Sequence, residues 1–293
     1  MRAAVLEGSI IEVRGDDSRE WLNGQLTAQI ADAKDGEVRR GLKLDRTGGI
    51  LAMPWVFCRG EEFDLFVERE GAKELLEDLD RYIIMEDVEL SLREDTRALF
   101  LEGERGDGIF ARATLYGMEG AIRILEEGEI VESIVQTRGA ELLDGQALET
   151  ARIRSGTPGR PEFERRRLLP QEAGLKELVS FTKGCFLGQE PVVMLEHRGS
   201  PPKRLIRLEM EPTLARSLKS EGTGGIKGAD ITDDTGAAVG EITSVSSNDE
   251  RGFAIGLLRK RGFTLDTLHL RASEGAPSAA VTAFAFIGEP PDN

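Results

Sequence analysis

Cysteine and histidine are nearly missing from this 293-residue chain, which has two of each: Cys58, Cys185, His197 and His269. No Cys-x-x-Cys or His-Glu-x-x-His occurs, so a Cys/His metal centre built by this chain alone is not expected, and no metal ligand is assigned. Positive charge is also short, with 38 Lys and Arg against 53 Asp and Glu and a net charge of −15. That balance opposes sequence-independent binding to nucleic acid or anionic lipid, both of which need exposed cations. Long apolar runs are absent too. The two most apolar windows, 50–58 and 279–287, cover nine residues each, well short of the roughly 18–20 needed to cross a bilayer. The N-terminal stretch is too acidic for a signal peptide. The expectation is therefore a cytoplasmic protein with reduced thiols. No GxGxxG, GxxxxGK[ST] or GxSxG pattern occurs, which counts against dinucleotide, P-loop and hydrolase chemistry.

What remains, 40% apolar and 31% charged residues, describes a globular chain long enough for one large or two to three small domains. Gly199-Ser200-Pro201-Pro202 reads as a linker, because consecutive prolines cannot join a helix or a central strand. The expected boundary falls there, dividing 1–200 from 201–293. The net charge divides with it, −13 before and −2 after.

The first part mixes periods of two and 3.6. Ala4–Leu6 and Ile10–Val13 flank Gly8-Ser9 as a hairpin would, and Asp16 or Asp17 is placed to cap a helix carrying Trp21, Leu22 and Leu26. Leu42–Leu44, Ile50–Phe57 and Phe63–Val67 read as strands, Gly71–Ile84 as an amphipathic helix, and Val88–Leu92 and Ala98–Leu101 as two further strands. Gln146–Ser155 and Pro170–Leu178 read as helices, while the stretch 103–145 yields only a mixed α/β pattern. After residue 201, short β-rich runs separated by Gly, Asn or Asp predict a small antiparallel barrel.

The stretch most suggestive of chemistry is Phe181–Pro191, FTKGCFLGQEP. Gly184 and Gly188 bracket Cys185 and can bring backbone close to a ligand. Pro191 suits the first turn of a helix, so Gly188, Gln189 and Glu190 approach a helix N-terminus. That end favours anions and, with Lys183, would lower a nearby thiol pKa. The competing reading is a buried structural cysteine in a glycine-containing loop; for Cys58, beside Phe57 in an apolar strand, core packing is the reading. Arg152 and Arg154 precede a loop where they could hold a carboxylate or phosphate in bidentate fashion, or simply end a solvated helix. Glu162 and Glu164, before Arg165-Arg166-Arg167, read either as ligand carboxylates or as a salt-bridged surface segment. Arg259-Lys260-Arg261 and the run His197–Arg207 are locally basic, leaving an RNA-contacting module as one alternative.

The string KGCFLGQE at 183–190 resembles the signature K-G-C-[Y/F]-x-G-Q-E of the YgfZ family of folate-binding proteins, relatives of the glycine-cleavage T-protein (GcvT, aminomethyltransferase). Further segments resemble that family in the expected order: WLNGQLT at 21–27, GGILA at 48–52, Arg152–Pro158, LPQEAGL at 169–175, GEITS at 240–244 and AIGLL at 254–258. The resemblance implies an α+β, GcvT-like folate-binding fold, with mixed α/β subdomains around a central channel and a C-terminal antiparallel β-barrel. It implies tetrahydrofolate or a one-carbon derivative as cofactor. It further implies an accessory role in iron–sulfur cluster assembly or repair, and through it in tRNA modification, with iron–sulfur client or assembly proteins as partners and Cys185, aided by Lys183, as the reactive centre.

Gly184, Gly188, Gln189, Glu190, Arg152, Glu162 and Glu164 are the candidate folate contacts. The expected protein acts as a monomer, away from membranes and without direct RNA binding. One departure bears on catalysis. Where the T-protein reads G-G-I-x-D-D, this chain has Gly48-Gly49-Ile50-Leu51-Ala52-Met53, and neither Ala52 nor Met53 can move a proton. A folate-dependent aminomethyl- or methyltransferase therefore stands as the alternative rather than the first reading.

Overall fold

A computed structural model describes residues 1–163, 166–218, 229–272 and 279–288. The chain forms two compact units, one from 1–144 with 178–191 and the other from 145–177 with 192–293.

The first unit contains β1 (Arg2–Arg14), α1 (Ser18–Gln25), β2 (Val38–Arg40), β3 (Lys43–Leu44), β4 (Ile50–Ala52), β5 (Trp55–Arg59), β6 (Glu62–Glu68), α2 (Ala72–Asp80), β7 (Glu89–Glu102), β8 (Ala111–Leu115), β9 (Met118–Ile124), α3 (Val131–Thr137) and β10 (Glu141–Leu142). One sheet runs β2-β5-β6-β1-β7-β9-β8, and β10 adds to β1 in parallel. Ile11, Val13, Leu22, Val56, Phe63, Leu65 and Leu79 form one core, and Ala3, Leu99, Leu101, Phe110 and Val135 another.

Local physics accounts for where the sequence expectations bend. Gly8-Ser9 makes no hairpin, because β1 continues through it. A Cβ on Gly8 would lie 2.2 Å from the Val67 carbonyl oxygen, so the glycine serves close strand approach rather than reversal. The run expected as one strand over Ile50–Phe57 breaks into β4 and β5 at Met53-Pro54, where proline has no N–H for the ladder. Conversely, the two strands expected over Val88–Leu101 are one, β7, with Asp95 at φ 53° where its pairing with β1 shifts register. Asp17 stands at the N-cap of α1 without a side-chain cap; its carboxylate accepts from the Asp87 N–H at 2.7 Å instead.

The second unit holds α4 (Gly145–Ser155), α5 (Arg160–Phe163), most of α6 (Gln189–Arg198), β11 (Lys203–Met210), α7 (Pro212–Leu218), β12 (Ala229–Thr232), β13 (Ala238–Ser247), β14 (Gly252–Arg259), β15 (His269–Ala272), β16 (Ala279–Ala280) and β17 (Ala283–Phe286). The helix expected over Pro170–Leu178 is a series of turns ending in a single 3-10 turn, Lys176–Leu178. The strands form a barrel-like antiparallel sheet in the order β16-β15-β12-β13-β14-β11-β17. Its core gathers Ile206, Leu208, Ile231, Ala254, Leu258 and Leu270. Gly174 sits at φ 70° with the Ile287 carbonyl oxygen 2.3 Å from where a Cβ would stand, so no other residue fits that turn. Among the described residues no helix is long and apolar enough to cross a membrane.

Candidate functional site

Cys185 is exposed and unpaired, at the tip of a loop packed on the first unit. The buried-thiol reading therefore falls on Cys58 alone, whose burial pushes its pKa up to about 11. A thiol so raised stays protonated at neutral pH and unreactive.

The loop is fixed on both sides of its cysteine. Upstream, the Ser180 N–H donates to the Thr27 carbonyl at 3.0 Å, and the Thr27 hydroxyl donates to the Leu178 carbonyl at 2.7 Å. The same hydroxyl accepts from the Leu42 N–H at 2.8 Å, tying the loop's seat to the strand leading into β3. Downstream, Phe186 is buried and the Leu187 N–H donates to the Gly24 carbonyl at 2.9 Å. Gly188, at φ 77°, lies against the β3–β4 turn, where a Cβ would come within 2.3 Å of the Asp45 carbonyl oxygen. That turn is itself held by Asp45 Oδ1, which accepts from Thr47 N, Thr47 Oγ1 and Gly49 N. Gln189 and the exposed Glu190 then open α6. Gly184 meets nothing a Cβ would touch.

The hydrogen bonds of Lys183 run to backbone rather than to the sulfur. Its ammonium donates to three backbone carbonyls, Asn23 at 2.5 Å, Leu26 at 2.7 Å and Ala28 at 2.6 Å. It also stands 5.4 Å from the centroid of the Phe186 ring. Asn23 and Leu26 belong to the last turn and C-cap of α1, where carbonyls lack intrahelical partners. Beneath them lies a second lysine that the sequence reading passed over. Lys43 is fully buried, with Nζ 3.0 Å from Gln25 Oε1, 3.3 Å from Asp78 Oδ2 and 4.5 Å from the Tyr82 ring centroid. Burial lowers its pKa, and Asp78 opposes that shift.

The other candidates lie in the second unit. Arg152 is buried, and each N–H of its guanidinium has an acceptor. Nε and Nη2 reach Glu149 at 2.8 Å each, Nη2 also reaches Ser244 Oγ at 3.0 Å, and Nη1 reaches Thr157 O at 2.9 Å and Glu162 Oε2 at 3.1 Å. Glu162, 0% exposed, accepts in addition from the Gly159 N–H at 2.8 Å and from Ser244 Oγ at 2.5 Å. The pair thus joins α4, α5 and β13 internally, with every guanidinium N–H engaged and three donors on the Glu162 carboxylate. Sequence alone could not anticipate this, because Ser244 lies 92 residues from Arg152. Glu164 lies outside the described residues.

Folate calls for acceptors that meet a ring N–H or amine. Among the described residues two buried amide oxygens have no hydrogen bond, Gln29 Oε1 in the first unit and Gln171 Oε1 in the second. Gln29 follows Ala28, one of the carbonyls that hold Lys183, and Gln171 lies in the LPQEAGL segment. Both suit a pterin by chemistry. Where the T-protein's aspartates would stand, the end of β4 presents Ala52 and Met53.

No family model matches the sequence. The chain is 24% identical over 225 residues to the tRNA-modifying protein YgfZ of Vibrio vulnificus, covering 70% of this chain and 69% of that one. It is 27% identical over 231 residues to the protein of the same name from Serratia proteamaculans, covering 69% and 68%. An uncharacterized protein of Haemophilus influenzae is 27% identical over 216 residues, covering 72% and 74%. In fold the chain is similar to the glycine cleavage system aminomethyltransferase T of Bartonella henselae, with a TM-score of 0.75 and 17% identity, covering 99% of this chain and 86% of that one. In sequence the chain is thus similar to YgfZ proteins, and in fold it is similar to the aminomethyltransferase.

Proposed function

We propose that the protein binds tetrahydrofolate and serves as an accessory factor in iron–sulfur cluster assembly or repair, and through it in tRNA modification, with the Cys185 thiol as its reactive group. The single observation that carries this reading is the presentation of Cys185, an exposed thiol on a loop fastened on both sides. A rigid loop holds a nucleophile in one place without burying it, and so lowers the ordering cost of meeting a partner. Bound folate supplies or accepts a one-carbon unit. Gln29, with its open acceptor, supports pterin binding on the first unit, and Gln171 does so on the second. The name tRNA-modifying protein belongs to the relatives, and the motif string 183–190 is what brings that role to this chain.

Thermal denaturation with and without tetrahydrofolate, in wild type and Cys185→Ala, tests the two halves separately. Ligand at a hundredfold over Kd adds about 2.7 kcal/mol, a rise of several degrees that both proteins should share. Cys185→Ala should leave the ligand-free Tm within about one degree, as exposed substitutions do, yet fail to complement a strain lacking the gene. No Tm shift at millimolar folate removes the folate assignment, and full complementation by Cys185→Ala removes the thiol.

A further inference from the structure

We propose that Lys183 is a positioning residue that locks the Cys185 loop onto the C-terminal end of α1, and that it works by the shape of its ammonium rather than by its charge on the thiol. This rests on reading Cys185 as the working group. An ammonium carries three N–H donors in a tetrahedral array and no acceptor. Here three carbonyls converge on it from one short segment, Asn23, Leu26 and Ala28, at 2.5, 2.7 and 2.6 Å. All three donors are thereby engaged, and none is left to direct at the sulfur two residues on. Two of the acceptors, Asn23 and Leu26, are groups a helix end must satisfy, so the lysine completes α1 while α1 holds the lysine. The flanking bonds from Ser180 and Leu187 run to Thr27 and Gly24 of the same segment, so the seat for the whole loop is residues 23–28.

Arginine cannot replace this lysine in such a seat. Its five donors lie in a plane and diverge as a fork, whereas the carbonyls converge on a point. Lys183→Arg therefore keeps the charge and loses the fit, while Lys183→Met keeps the approximate length and loses both. The two variants separate shape from charge.

The experiment uses the full chain. Amide hydrogen exchange over residues 178–191 and the rate of Cys185 alkylation by iodoacetamide as a function of pH, located by peptide mass spectrometry, are measured in wild type, Lys183→Arg and Lys183→Met. Both variants should raise exchange in the loop about tenfold or more through local opening. The thiol pKa from the alkylation profile should stay the same in all three. Wild-type exchange in Lys183→Arg, or a raised thiol pKa in Lys183→Met with loop exchange unchanged, overturns the proposal in favour of a charge effect. Because either variant can lose its fold, a measurement on wild type stands beside them. The Lys183 ammonium should give a slowly exchanging 15N–1H signal at neutral pH, and a free, fast-exchanging ammonium overturns the lock. If Lys183→Arg loosens the loop while Cys185→Ala complements fully, the functional reading of Cys185 fails and the lock is upheld.

Discussion

At the scale of single residues, Lys183 has an unusual proton balance. Burial pushes its pKa down from 10.5 to about 8. A lysine released to water keeps its proton to about 10.5, so between about 8 and 10.5 the folded protein binds fewer protons than the opened one. Stability at this group therefore rises with pH across that window. Below it both states are protonated and the burial penalty applies in full. The neutral amine keeps two N–H donors for the three carbonyls. The Tm difference between wild type and Lys183→Met should shift in favour of wild type from pH 8 to pH 10, and a difference that is flat or falls in that range contradicts the assignment. None of this was legible in the string KGCFLGQE. The sequence displays side-chain chemistry, but the lysine's partners are backbone carbonyls 155 to 160 residues upstream, and every residue has a carbonyl.

Among elements, the loop and the β3–β4 turn form one fitted joint, and its two glycines have different weight. Gly188 combines positive φ with backbone 2.3 Å from a Cβ, whereas Gly184 has ordinary φ and open space. Gly188→Ala should cost at least about 2 kcal/mol in chemical denaturation, from strain and steric overlap together. Gly184→Ala should stay within about 0.5 kcal/mol of wild type. Equal effects at the two positions would mean that the turn does not constrain the loop. Pattern reading recovers elements that obey one period, such as the amphipathic α2 within Gly71–Ile84. It errs where a glycine serves contact rather than turning, as at Gly8, and where one long strand carries a register shift, as β7 does at Asp95. The pairing of Arg152 with Glu162 is likewise invisible in sequence, because a charge paired inside the fold and a charge awaiting a ligand have the same letter.

Across the whole molecule, structure redistributes the charge. Residues 1–144 with 178–191 carry 19 basic and 34 acidic side chains, and the remainder carries 19 of each, so the entire net −15 belongs to the first unit. That unit also bears Cys185. Its field repels anions at range and is screened within about 10 Å at 0.1 M salt. The association rate of tetrahydrofolate, an anion, should accordingly rise as salt is raised from about 10 to 150 mM, the reverse of an electrostatically steered ligand. Stopped-flow binding reads this directly, and a rate that falls with salt would place the ligand against a locally cationic surface instead. The same field disfavours RNA on the first unit.

The first unit is interrupted in sequence by residues 145–177, and the loop that completes it arrives only with residues 178–191. During synthesis, at about 5–20 residues per second, the carbonyls of Asn23, Leu26 and Ala28 must therefore wait for Lys183 after the rest of their unit has emerged. Cys185 thus joins that unit as the closing step of its assembly. A chain that stops before residue 178 would thus present its sheet without the Cys185 loop.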